Sequence, residues 1–176
     1  MGSRLVPVAL LLVSLPFWAC CGRTTLKESV VAKHGGTDEF AEMDFWDALA
    51  KQRMVCNSDA LHALVISFEV VPSKDAIATA DSRGWISATE QLAPLESARV
   101  GWIAKAVCIE TAIKGGVTMR VFGPRERYSV NELNYRGWLP NMTPQQTISG
   151  MQLMALLGRA EDFRAGGTGT VMKGAK

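Results

Sequence analysis

The sequence predicts a mainly α protein: one compact helical domain of about six helices, built from two or three helix–turn–loop–helix repeats. Three observations carry this. Apolar residues recur at three- and four-residue spacing, as in Leu61, Leu64, Val65 and Phe68, the pattern of a helix with one buried face. Two segments, Arg83-Gly84-Trp85-Ile86 and Arg136-Gly137-Trp138-Leu139, each place a glycine and an aromatic where a helix would end. Capping residues stand ahead of the apolar runs.

Residues 1–19 precede this domain as a signal peptide. Arg4 supplies the positive n-region, and Leu5 to Ala19 carries no charge. That run is shorter than the roughly 20 apolar residues of a comfortable membrane span. Pro7 and Pro16 interrupt it, and it fits a secretory h-region instead. Residues 20–37 follow as a flexible tether, polar and poor in large apolar side chains. Such a segment buries too little surface to offset its ordering entropy. Residues 38–163 form the domain, a length that supports a core without staples. Residues 164–176, with Gly166, Gly167, Gly169 and Gly174, read as a disordered tail.

Within the domain, 38–51 is a first helix, with Asp38 and Glu39 at its positive end and Met43, Trp46 and Leu49 inward. Asn57 or Ser58 caps a second helix carrying Leu61 to Phe68, which closes at Val70-Val71-Pro72. Ser73 caps a third, in which Ile77 and Ala80 face inward and Gly84 takes the left-handed position past the end. Pro94 opens a longer fourth helix, apolar on two sides and therefore central. Val117 to Phe122 is β-prone and leaves room for one short strand or hairpin arm before the Gly123-Pro124 turn. Ser129 and Glu132 form a capping box for a fifth helix that ends at Gly137. The last helix carries Ile148, Leu153, Leu156 and Leu157, and either Thr143 or Ser149 begins it.

Charge and motifs exclude several functions. The formal net charge of +2 over 176 residues gives no basis for nucleic-acid binding. Two histidines, His34 and His62, and the domain cysteines Cys56 and Cys108 form no metal-ligand cluster, and no phosphate loop or dinucleotide fingerprint is present. The expectation is therefore no metal and no cofactor. Cys108 lies in an apolar run that favours a free buried thiol, although an exported chain also permits a Cys56–Cys108 disulfide. Glu90, Glu96, Glu110, Glu126 and Glu132 stand singly, as solvated residues rather than a catalytic pair. No catalytic residue is assigned. The rival reading is a small extracytoplasmic enzyme such as a hydrolase, using Cys56 with His62 or the 120–127 loop.

The end of the leader, Phe17-Trp18-Ala19-Cys20, resembles the lipobox of bacterial lipoproteins. The resemblance implies lipidation of Cys20 and attachment to a membrane outside the cytoplasm, in the periplasm or on the cell surface. Trp18 departs from the small residue usual at its position, and Cys21 is a poorer acceptor because Cys20 precedes it.

The recurring turns, together with Ile148-Ser149-Gly150-Met151-Gln152-Leu153, resemble the S-layer homology module of bacterial envelope proteins. In that family a short helix ends in a glycine turn, and an isoleucine-threonine-arginine-alanine-glutamate stretch starts a long helix. Leu95 to Val100 and Asn57 to Leu61 match more loosely. The family's polymer-binding arginine corresponds to Ser58, Ser97 and Gly150, none of them charged. The resemblance implies the helical layout and an envelope role without that contact chemistry. The candidate binding surface is instead basic and aromatic: Arg120, Arg125 and Arg127 around the Gly123-Pro124 turn, with Trp85 and Trp138 of the two repeated turns. Arginine forks and indoles suit an envelope glycan or a protein partner.

Overall fold

A computed structural model describes residues 23–35, 39–70, 76–87 and 91–166. The leader, Cys20, the Ser73 cap, Glu90 and the tail from 167 onward lie outside the described residues. The described chain is mainly helical: α1 (Val30–His34), α2 (Glu39–Ala50), α3 (Asn57–Ser67), α4 (Ala76–Ser82), α5 (Val100–Glu110), α6 (Val117–Phe122), α7 (Glu126–Tyr135) and α8 (Gly150–Arg164). Single antiparallel bridges join loops at Thr25 and Glu96, Cys56 and Ser97, and Arg99 and Thr147. Among the described residues, no helix is long and apolar enough to cross a membrane.

α5 is the central element. Val100, Trp102, Ile103, Ala104, Ala106 and Val107 are all fully buried, as expected of a helix apolar on two sides. α7 packs along it. α2 and α3 each pack against α8, and Phe45, Leu49, Leu61, Leu64, Leu153 and Leu156 of these helices are buried in the core. Both domain cysteines are free and buried, so the permitted disulfide does not form.

The repeated turns have the same geometry. After α4, Gly84 adopts φ +72°, and the Trp85 N–H donates to Ala80 O at 2.8 Å. After α7, Gly137 adopts φ +71°, and the Trp138 N–H donates to Leu133 O, also at 2.8 Å. Each glycine N–H closes the inner bond of the same cap, to Asp81 O and Asn134 O. These are two Schellman ends, each delivering a tryptophan into the core. α2 has no such glycine and stops through a bond from Gln52 N–H to Leu49 O.

Helices α3, α5 and α8 each start after one extended residue: Cys56, Arg99 and Ser149. The residues preceding these, Val55, Ala98 and Ile148, are all fully buried. Backbone bonds run between the starts, from Ala98 N–H to Val55 O and from Val55 N–H to Ile148 O. This corrects the register drawn from sequence. The position after the cap holds Asn57, Val100 and Gly150, not Ser58, Ser97 and Gly150. No residue there is charged in either register.

Five local expectations change. The β-prone segment is helix α6, because no neighbouring strand offers a ladder, and β-propensity reports packing context more than backbone preference. Glu132 accepts the Gly116 N–H at its start, and Gly123, at φ +74°, ends it. Pro94 does not open α5. Glu96 and Ser97 are held extended by bonds to Asn57 and Thr24, so the helix waits until Val100. α3 ends at Ser67, short of Val70. α7 begins at Glu126, which leaves Ser129 fully buried inside the helix rather than at its cap. Of the two candidate starts for α8, Ser149 prevails. Its hydroxyl accepts from Gln152 N–H at 3.3 Å, and its N–H donates to Gln152 Oε1 at 3.0 Å.

The fifth change concerns the tether. Residues 23–35, expected to be flexible, are docked on the body. The Leu26 N–H donates to Leu95 O at 2.8 Å, and the Ser97 N–H to Thr24 O at 2.9 Å. Ser29 caps α1 through a 3.1 Å bond from Ala32 N–H. Asp59, buried on α3, accepts the N–H groups of Val30 and Val31 at 3.0 and 2.9 Å. A carboxylate facing the positive end of a helix is held by both the dipole and the orphan donors there. At the other end of the chain, α8 continues to Arg164, one residue into the expected tail, and Ala165 and Gly166 close it.

Candidate functional site

The two sequence-predicted tryptophans are structural. Trp85 is fully buried and Trp138 is 5% exposed, so neither indole is offered to a ligand. Trp85 Nε1 donates to Glu110 Oε1 at 2.8 Å, and Arg83 bonds the other oxygen at 2.9 Å. Trp138 meets Phe163 edge-to-face at 5.7 Å, and Arg136 lies over the same Phe163 ring. Arg159 donates to the carbonyls of Gly137 and Trp138, neutralising the end of α7. The described glutamates expected to be solvated are ties of this kind. Glu110 holds the first turn, Glu132 joins Arg136 to Gly116, Glu126 pairs with Arg99 at 3.4 Å, and Glu96 pairs with Arg23 at 3.1 Å.

The proposed nucleophile pair is not assembled. Cys56 is fully buried, and its Sγ lies 3.1 Å from Ser58 Oγ. His62 is half-buried on α3, its ring edge-on to Phe45 at 4.7 Å, and shares no hydrogen bond with the thiol. Burial raises the Cys56 pKa and lowers that of His62. The thiol is thus held protonated and the imidazole is a weakened base, the reverse of what an activated pair needs. Cys108 is more extreme, pushed up to about 12 by burial. Among the described residues, no group of three or more His, Cys, Asp or Glu could hold a metal ion.

The three arginines do come together. α6, the Gly123-Pro124 turn and the start of α7 place Arg120, Arg125 and Arg127 at one corner, all exposed. None of the three makes a hydrogen bond or ion pair among the described residues. Unpaired guanidinium groups in one place present forked donors without having to break a bond first. α6 adds what the sequence reading missed. Met119 alone of its side chains is buried, while Val117, Val121 and Phe122 stand exposed. Phe122 leans toward Tyr128 of α7 at 6.2 Å between ring centroids. Helical spacing of Val117 and Val121 around Arg120 was the available signal; reading the segment as a strand hid it.

A second surface is an open groove of about 570 Å³ between α2, α3 and α8, bordered by Trp46, Ile66, Met154 and Arg164. Glu42, Glu69 and Glu161 also line it. It brings together none of the sequence-predicted site residues. No family model matches this chain, and neither a curated protein nor a solved structure is significantly similar to it.

Proposed function

We propose that this is an exported, lipid-anchored envelope protein whose helical body has a non-enzymatic binding or scaffolding role. The observation that carries the binding part is the α6–α7 corner, where three unpaired arginines flank an exposed apolar helix face. The leader and Cys20 carry the export part. The buried Cys56, whose pKa burial raises, and the separately packed His62 favour binding over hydrolysis. In this reading the layout follows the S-layer homology pattern, but the polymer-binding arginine of that family has no counterpart. Recognition moves to the corner, and the partner is a component at the membrane.

Expression of the full chain in a bacterium that processes lipoproteins, followed by fractionation, tests the attachment. The wild-type chain is expected in the membrane fraction carrying metabolically labelled palmitate, and Cys20→Ser without label. A wild-type chain that takes up no label, or a Cys20→Ser chain that still does, would contradict lipid anchoring at Cys20.

A further inference from the structure

We infer that the α6–α7 corner seats directly on an anionic phospholipid bilayer. α6 is only six residues long and reaches the body through Met119. Val117, Val121 and Phe122 are 77%, 67% and 57% exposed. Val117 and Val121 lie one turn apart on the outer side, opposite Met119, with exposed Thr118 between them and Phe122 at the helix end. Arg120, Arg125 and Arg127 rim it, and Glu126, the acid within the rim, is engaged by Arg99. Apolar side chains ringed by cations match a membrane interface. The apolar groups enter the acyl boundary while the guanidinium groups meet lipid phosphates. A soluble glycan would use the arginines but leave the valines and Phe122 in water.

The location agrees with this. Thr24 pairs with Ser97, two residues before Arg99, whose guanidinium reaches Glu126 at the start of α7. Thr24, at the N-terminal end of the docked segment, is thus linked to the start of α7 through Ser97 and Arg99. Cys20 precedes Thr24 by four residues, which span at most about 14 Å when extended. With Cys20 lipidated, as the inference assumes from the function proposed above, this end of the body faces the bilayer at close range.

The test uses the full-length chain, produced in a lipoprotein-processing bacterium and reconstituted in vesicles of phosphatidylcholine and phosphatidylglycerol. The photocrosslinker p-benzoylphenylalanine replaces Phe122 or, as an exposed control elsewhere on α7, Tyr135. Illumination is expected to attach phospholipid at position 122 several-fold more than at 135. Arg120→Gln/Arg125→Gln/Arg127→Gln, or vesicles of phosphatidylcholine alone, should lower that yield several-fold. Equal lipid yields at the two positions, or crosslinking of position 122 to a second copy of the chain, would overturn the inference. The mass of the Cys20 peptide is read in the same sample. Absent lipid contact with acylated Cys20 removes the bilayer seat alone, whereas missing acylation removes the anchor.

Discussion

His62 lies half-buried on α3 against Phe45, and burial lowers its pKa from the usual 6.5. The unfolded chain therefore binds more protons than the folded one between 6.5 and the lower native value, and in that window stability rises with pH. The full contribution is present above 6.5 and falls away as pH drops through the window. Thermal melts of wild type and His62→Gln across mildly acidic pH should show the midpoint of the wild type falling more steeply on acidification. Parallel profiles would contradict the desolvated histidine. Gly150 makes a different demand. A Cβ there would stand 1.7 Å from Leu49 O, where the first turn of α8 crosses the end of α2. Backbone cannot yield as a flexible side chain can, so Gly150→Ala is expected to cost about 1–3 kcal/mol. Glycine is a poor helix former in general, yet at 150 it is the residue that lets two helices meet. Periodicity carries no information on that crossing, because the clash is with a segment about a hundred residues earlier in the chain.

The two tryptophan turns are the elements most legible in the sequence. Glycine followed by an aromatic after an amphipathic run describes a local motif, and local bonds decide it. Both glycines have open space around the missing side chain. Gly84→Ala and Gly137→Ala should therefore each cost only the left-handed backbone strain, about 1 kcal/mol, with nearly equal and additive shifts in denaturant midpoint. A large inequality would break the equivalence of the two turns. The docked N-terminal segment was hidden because its partner is distant. Nothing near Val30 announces that Asp59, on another helix, will accept its N–H. Asp59→Ala removes two bonds to a charged acceptor, each worth about 1.5–3 kcal/mol. It should release residues 24–34 to faster amide exchange at Val30 and Val31 while α5 stays protected. Unchanged exchange at those amides would show that the segment is held by other contacts. α6 and the start of α5 were misplaced for the same reason: long-range bonds at Glu96 and Ser97, and the lack of a strand neighbour for 117–122, overrode local preference.

For the molecule as a whole, a helical body closes around α5 and ties its own N-terminal segment down to within a few residues of Cys20. The expected long tether shrinks accordingly, and with it the distance from which the body could act. Of the candidate site, the arginine cluster was readable as composition around a turn, but the indoles were not separable from core residues until their burial was known. In the proposed function, recognition falls to the α6–α7 corner, close to the proposed point of attachment. The most direct measurement is the mass of the N-terminal peptide from the full chain purified out of bacterial membranes. The account predicts a peptide beginning at Cys20 and carrying diacylglycerol, with residues 1–19 removed. An unmodified peptide beginning at another residue, or one that retains the leader, would contradict it.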